Sequence, residues 1–196
     1  MLAQPLTQMN RIVKATYLLL LVTLVSSQSL LAQSADFLAR VEKDEGYVKA
    51  SNTQIAYKDG VPKPINFVSD YENLFKDSEE KELNKIISDF EGKTTVEIAV
   101  ITVDATMVSK DDLDGYALKV AQKWGLGKPE KDNGVIILLS LGHRTLIMRG
   151  GSGIANRLNN TQINEIVASK ATPQLKSGAY FLGIKDSVLA LIDLLK

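Results

Sequence analysis

The stretch KDNGVIILLSLGHRTLIMRGGSG, residues 131–153, decides the fold that the sequence predicts. Its two apolar runs, VIILLS and TLIMR, are rich in aliphatic and β-branched residues, as buried strands are. Only Leu141-Gly142-His143 separates the two runs, and a connection this short joins antiparallel strands. The stretch therefore predicts a β-hairpin that has a polar segment before its first strand and a glycine-rich segment after its second.

A helix, a strand and a second helix are predicted ahead of this hairpin. Asp77 and Ser78 are candidate N-caps, Glu80 is placed for a capping box, and Gly92 ends the helical spacing. Residues 94–103, TTVEIAVITV, then have the composition of a short buried strand. The second helix places apolar residues on one face, namely Leu113, Ala117, Val120 and Trp124.

Two more helices are predicted after the hairpin, one capped by Asn160 and one running from Gly178 to Leu194. The element order is then α-β-α-β-β-α-α. A strand–helix–strand connection gives a parallel pair, and the short hairpin reverses the third strand. The sequence thus predicts an α/β fold: a three-layer α/β/α sandwich with a small mixed sheet, Rossmann-like in appearance, and helices on both faces.

This chain direction brings two polar segments to the same end of the sheet. Asp132, Asn133 and Gly134 start the second strand, and residues 150–153 follow the third. Carboxylate and amide oxygens suit hard cations such as Ca²⁺ and Mg²⁺, and successive glycine N–H groups suit an anion. The same residues are also ordinary turn formers, so the pattern leaves both a ligand site and a plain turn open.

Other kinds of site are disfavoured by the sequence. His143 is the only histidine and lies in the hairpin turn, at the opposite sheet end, so no two-histidine metal site can form. Gly-Gly-Ser-Gly is not a phosphate-binding Walker loop, because no Lys-Ser/Thr pair follows it into a helix, and it is not a dinucleotide-binding fingerprint either. Basic and acidic residues balance at 23 each, which argues against a nucleic-acid partner.

The N-terminus has the features of a secretory signal peptide over residues 1–33. Arg11 and Lys14 precede an apolar core at Ala15–Val25, and small residues follow. The apolar core is too short to span a bilayer, so no stable membrane span is expected after cleavage. There is no cysteine, hence no lipid-anchoring cysteine, and a periplasmic or secreted protein is expected. Residues 34–65 are interpreted as an extension or linker, and 66–196 as the domain.

The chain resembles the TPM domain family over about residues 66–196. The resemblance rests on an ordered set of motifs: FVSDYENLF, TTVEIAVITV, YALKVAQKWGLG, KDNGVIILLS, RTLIMRGGSG and PQLKSGAYFLGI. The positions that match the family pattern are Asp70, Trp124, Asp132, Asn133, Gly134, Gly151, Gly153, Gly178, Tyr180 and Gly183. The resemblance implies an α/β/α domain, often exported, with plant members that are acid phosphatases and several members that bind divalent cations.

Carried over to this chain, the resemblance implies a metal site at Asp70, Asp132 and Asn133. Gly151, Ser152, Gly153 and Asn160 would form the adjoining anion or ligand site. Two departures weaken that site, because Ala155 and Asn160 stand where the family has acids. Since calcium affinity depends on the number of charged ligands, Ca²⁺ or Mg²⁺ binding is expected to be weak.

Two functions remain open from the sequence. The first is a binding module of the cell envelope with a degenerate divalent-cation cleft, whose partner is an envelope protein or a small anionic ligand. The second is a divalent-metal-dependent acid phosphatase acting on phosphomonoesters. The protein is expected to be a monomer, and the sequence names neither substrate nor partner.

Overall fold

The computed structural model describes the strand residues Tyr47–Lys49 and Ile55–Tyr57 and the whole of residues 59–196. The predicted signal peptide, residues 1–33, lies outside the described residues. Strands β1 (Tyr47–Lys49) and β2 (Ile55–Tyr57) belong to the predicted extension and pair antiparallel. Among the helices of the described ranges, none combines the length and apolar character needed to cross a membrane.

The main sheet has four strands in the order β3 (Val68–Asp70), β4 (Glu97–Thr102), β5 (Gly134–Ser140) and β6 (Thr145–Gly150). β3, β4 and β5 are parallel, and β6 runs antiparallel to β5. The predicted directions of the last three strands are therefore confirmed. β3 was not predicted, because three residues are too few to show a period.

The helices are α1 (Asp77–Thr94), α2 (Leu113–Lys123), α3 (Asn160–Ile166), α4 (Thr172–Lys176) and α5 (Tyr180–Leu195). A π-helical turn at Val167–Ala171 makes α3 and α4 continuous. This mixed sheet with its helices confirms the predicted α/β/α fold class.

Three helix ends lie one to three residues away from the predicted positions. The Lys76 N–H donates to Glu79 Oε2 at 2.8 Å, so Glu79 rather than Glu80 closes the first turn of α1. That helix continues past Gly92 to a left-handed Thr95 at φ 65°. Asn159, not Asn160, caps α3, because its side chain accepts the Gln162 N–H at 3.1 Å.

The strand register shows which face each helix covers. Glu97 pairs with Gly134, and a Cβ at Gly134 would meet Leu126 just after α2. Arg149, on that same face, forms an ion pair with Asp114 of α2. On the opposite face, a Cβ at Gly150 would meet Leu158 and Ile154, which lead into α3. α5 packs with α3, α4 and α1 in this second layer, and the two central strands, β4 and β5, are buried along their whole length.

The segment just before β3 packs onto the domain. Val61 and Phe67 are completely buried. The buried indole Nε1 of Trp124 donates to Pro62 O at 2.8 Å, and Lys119 on α2 lies 3.8 Å from Asp59. Trp124 therefore packs in the core as its helical position predicted, and part of the predicted linker completes that core.

Candidate functional site

The loop before β5 and the loop after β6 meet at one rim of the sheet, as the chain direction predicted. Gly151 N–H donates to Gly134 O at 2.8 Å, and Gly153 N–H donates to Asp132 O at 3.0 Å. Ser152 N–H donates to the Asp132 carboxylate at 2.6 Å. The predicted convergence of residues 132–134 with 150–153 is thus confirmed.

The glycines of this rim are required by the approach of the chain to itself. A Cβ at Gly151 would overlap Asp132 O, and a Cβ at Gly153 would overlap Lys131 O. The sequence pattern suggested that these glycines let the backbone come close to a ligand. In the structure they let it come close to the chain itself, at residues 131–132. This arrangement favours the turn interpretation for Gly151 and Gly153.

Asp132 connects the two loops through its carboxylate. Its backbone lies in the left-handed region at φ 41°, which aspartate tolerates better than most residues. Hydrogen bonding from Ser152, through its side chain first and its backbone N–H second, holds the pKa of Asp132 below the ordinary value of 3.8. The exposed carboxylate is therefore ionised at neutral pH and already accepts a hydrogen bond.

Replacing Asp132 with asparagine should remove a pH-dependent part of the stability. Because the pKa of Asp132 is lowered in the folded protein, its contribution is present above pH 3.8 and is lost as the pH falls through the folded value. Urea unfolding between pH 2 and 7 should show wild type and Asp132→Asn converging towards the acid end. A constant difference at all pH values would show that the carboxylate does not titrate with this linkage.

Asn133 is a structural residue rather than a wall of the cleft. Its side chain is buried, its Oδ1 accepts the Lys128 N–H at 2.9 Å, and its Nδ2 donates to Thr95 O at 2.8 Å. Both ends of the amide are thus used to join the loop before β5 to the end of α1. The geometry gives no support to Asn133 as a cation ligand.

A buried ion cluster lies under this loop and was not predicted. Lys128 Nζ is 2.9 Å from Glu97 and 3.0 Å from Glu91, and Glu97 also accepts the Gly127 N–H at 2.6 Å. Burial lowers the pKa of Lys128, but its hydrogen bonds to Glu97 and Glu91 outweigh this effect, so the pKa is raised overall. The one signal in the sequence was Glu97, a charged residue inside an otherwise apolar strand.

A cleft of about 540 Å³ opens beside the converged loops, between α2 and β6. We call it the α2–β6 cleft; its apolar lining includes Leu118, Leu126 and Ile136. Its two cationic side chains each have carboxylate partners, Lys128 in the buried cluster and Arg149 with Asp114. The cleft therefore combines apolar walls with cations that already have carboxylate partners, and the exposed Asp132 carboxylate lies at its rim.

The structure places Asp70 at the other end of the sheet. Asp70 pairs with Thr102, which pairs with Leu139, so it lies five residues along the strands from Gly134, roughly 17 Å. Its carboxylate accepts the Thr102 hydroxyl at 2.5 Å and the Phe75 N–H at 2.7 Å. Asp70 and Asp132 are therefore not brought into one site.

The remaining predicted site residues give no cation cage. Asn160 is exposed at the first residue of α3, and no hydrogen bond ties it to Asp132 or to residues 151–153. In the part of the chain that the structure describes, no group of three or more His, Cys, Asp or Glu residues is arranged to hold a metal ion. Of the predicted anion-site residues, Ser152 presents an exposed side chain to the cleft, and of the predicted metal ligands Asp132 does.

The opposite rim, where His143 lies, carries a second set of acids. Glu72 accepts the Leu141 N–H at 3.1 Å, and its pKa is raised by burial and by the nearby charges of Asp104 and Asp70. His143 Nε2 lies 2.8 Å from Val108 O. The ring therefore connects the hairpin turn to the loop after β4. This structural contact accounts for the residue without a catalytic role.

Fold and site together define a small α/β/α domain whose polar loops meet at the start of β5 beside an apolar cleft. A family model of the TPM domain matches residues 68–194, and the chain belongs to this family. A search of curated proteins finds no match.

Solved structures share the fold. The N-terminal domain of a protein from P. gingivalis is 27% identical, with a TM-score of 0.61 over 66% of this chain and 81% of that one. BA42 from Bizionia argentinensis is 23% identical, with a TM-score of 0.55 over 64% and 83% of the two chains. The N-terminal domain of the cg2496 protein from Corynebacterium glutamicum is 16% identical, with a TM-score of 0.51 over 67% and 81%.

Proposed function

We propose that this TPM domain is a noncatalytic binding module of the cell envelope, with a degenerate divalent-cation site at the rim formed by residues 132 and 151–153. The observation that carries the proposal is that the polar side chains at this rim form hydrogen bonds within the protein. Asp132 accepts from Ser152, and the Asn133 amide is buried between Lys128 and Thr95.

The charged ligands left at this rim support weak cation binding. Asp70 lies at the other end of the strands, and by the resemblance Ala155 and Asn160 replace acids of the family pattern. Asp132 is then the one carboxylate of the proposed set that remains beside the cleft. Because Ca²⁺ and Mg²⁺ depend on several oxygen ligands, one exposed carboxylate supports little affinity.

The character of the α2–β6 cleft favours a protein over a small anion as the partner. Its exposed leucine and its neighbours provide apolar contact area, whereas Lys128 and Arg149 already have carboxylate partners. An anion would have to compete with those carboxylates. The envelope location rests on the predicted signal peptide at residues 1–33.

Calcium titration of the chain, followed by amide NMR, tests the degenerate site. We expect only weak, unsaturated shifts at Asp132, Gly151 and Ser152 up to millimolar calcium, and we expect Asp132→Asn to respond like wild type. Magnesium should behave in the same way. Tight, saturable shifts that Asp132→Asn abolishes would contradict the proposal.

The alternative is a divalent-metal-dependent acid phosphatase. It is favoured by one feature, the ionised Asp132 carboxylate beside the Gly151–Ser152 backbone. In that case a metal held by Asp132 would polarise the phosphoryl group. Hydrolysis of a chromogenic phosphomonoester that is lost on adding a chelator and lost in Asp132→Asn would establish this alternative and reject the noncatalytic proposal.

A further inference from the structure

β6 is the edge strand of the four-stranded sheet, and one side of its backbone faces away from β5. The Gly151 N–H to Gly134 O bond makes Val135 and Gly150 a non-hydrogen-bonded pair, which fixes the alternation along β6. Leu146, Met148 and Gly150 consequently direct their N–H and C=O groups away from β5. In residues 59–196 these groups have no other hydrogen-bond partner.

The strand lacks the devices that normally protect such an edge. It spans six residues, Thr145–Gly150, without a proline or a bulge, and its one charged residue, Arg149, turns towards Asp114 on α2. Natural edge strands are usually short, bulged or studded with lysine, because open edges pair with other chains. β3, the other edge, is only three residues long.

The α2–β6 cleft opens at the end of this edge, where Arg149 and Gly150 form part of its lining. One flank of α2 is fixed to the segment before β3 through Lys119 and Asp59, and the core residues of α2 face the sheet. The other flank carries Leu118, Ala121 and Gln122, at the i, i+3, i+4 spacing of one helix stripe, and it forms the wall of the α2–β6 cleft. Leu118 is 45% exposed on this wall.

We propose that the α2–β6 cleft binds an extended peptide segment of a partner protein, which adds to the sheet as a fifth strand beside β6. The proposal rests on the proposed binding function and names the kind of partner. Backbone hydrogen bonds to Leu146, Met148 and Gly150 supply affinity. Apolar side chains at alternate positions of the peptide enter the cleft against Leu118 and Leu126 and supply specificity.

A second copy of the chain fits this edge less well. Antiparallel self-pairing centred on Met148 would place Arg149 opposite Ile147 of the copy. The two Arg149 side chains would then be diagonal neighbours on one face, about 7 Å apart, so that only their Asp114 partners would offset the repulsion between the like charges. The apolar wall of the cleft is matched better by an uncharged, alternating segment.

The test uses a phage-displayed random octapeptide library selected on the purified chain. Enriched peptides are then synthesised with a fluorescent label and titrated by fluorescence anisotropy. We expect sequences with apolar residues at alternate positions. We also expect bound-state amide shifts at Leu146, Met148, Gly150 and Leu118.

The decisive variant is Leu146→Pro, with Leu146→Ala as its matched control. Proline removes the outward N–H of residue 146 but leaves the β5–β6 bonds, since that N–H does not face β5. The bound peptide then loses its hydrogen bond from the residue 146 N–H, and peptide binding should weaken about tenfold or more. Leu146→Ala keeps the N–H and should bind within about threefold of wild type.

Several outcomes would overturn strand addition. One is an absence of enriched peptides, and another is equal peptide binding by wild type and a well-folded Leu146→Pro. A third is self-association that Leu146→Pro abolishes, because this result would assign the edge to a second copy. If Leu146→Pro binds normally and the shifts fall on Gly151 and Ser152, the binding module stands and strand addition alone fails. If inorganic phosphate and every peptide leave all these amides unmoved, both proposals fail.

Discussion

Replacing Lys128 with methionine is expected to lower the free energy of unfolding by about 3–5 kcal/mol, the usual cost of removing one partner of a buried ion pair. The change leaves Glu97, which is completely buried, and the mostly buried Glu91 without the ammonium group that lies 2.9 and 3.0 Å away. Urea denaturation followed by the fluorescence of Trp124 measures the loss.

Two comparisons separate charge from packing. Lys85→Met removes the exposed partner of Asp89 and should change the stability by less than about 0.5 kcal/mol. The triple variant Lys128→Met, Glu91→Gln, Glu97→Gln should recover part of the loss, because no unpaired buried charge then remains. If Lys128→Met were as stable as Lys85→Met, the cluster would contribute little to folding.

Replacing Gly153 with alanine is the second large effect that we expect, a loss of about 3 kcal/mol. The added methyl would overlap Lys131 O, so the backbone must move and the Gly153 N–H to Asp132 O bond must lengthen or break. Thermal and urea unfolding would measure the loss. Amide shifts at residues 131–134 would show that both loops move together.

Gly115 provides the matched control for this substitution. It lies in α2, and a Cβ there would meet nothing within 4 Å. Alanine should therefore raise the stability by about 0.5–1 kcal/mol, because glycine is a poor helix former. A loss of similar size in both variants would mean that loop contact at Gly153 is not the cause.

The arrangement of the sheet could be predicted because each connection had one physical solution. The hairpin at residues 141–144 reverses β6, and the helix between β4 and β5 makes those strands parallel, so the meeting of Asp132 with Gly151 followed from chain direction. β3 could not be found in this way. Its three residues, Val68–Asp70, owe their strand conformation to pairing with β4.

The site was harder to predict because side-chain partners depend on distances that sequence does not contain. Lys128 lies 37 residues from Glu91 in the chain, and only the packing of α1 against the sheet brings them together. Asp70 matched the family pattern equally well, yet it lies at the other rim. The neighbours of Gly151 and Gly153 could not be predicted either, since a glycine pattern does not say whether a ligand or the backbone comes close.

The hydrogen bond from Trp124 to Pro62 has a consequence for where the folding unit begins. The family match starts at residue 68, but the sole tryptophan of the chain donates to a carbonyl six residues upstream of that point. A fragment cut at residue 66 would leave a buried indole N–H without its acceptor and would lose the completely buried Val61. The folding unit of this chain therefore reaches back at least to Val61, and tryptophan emission reports whether that leading segment is docked.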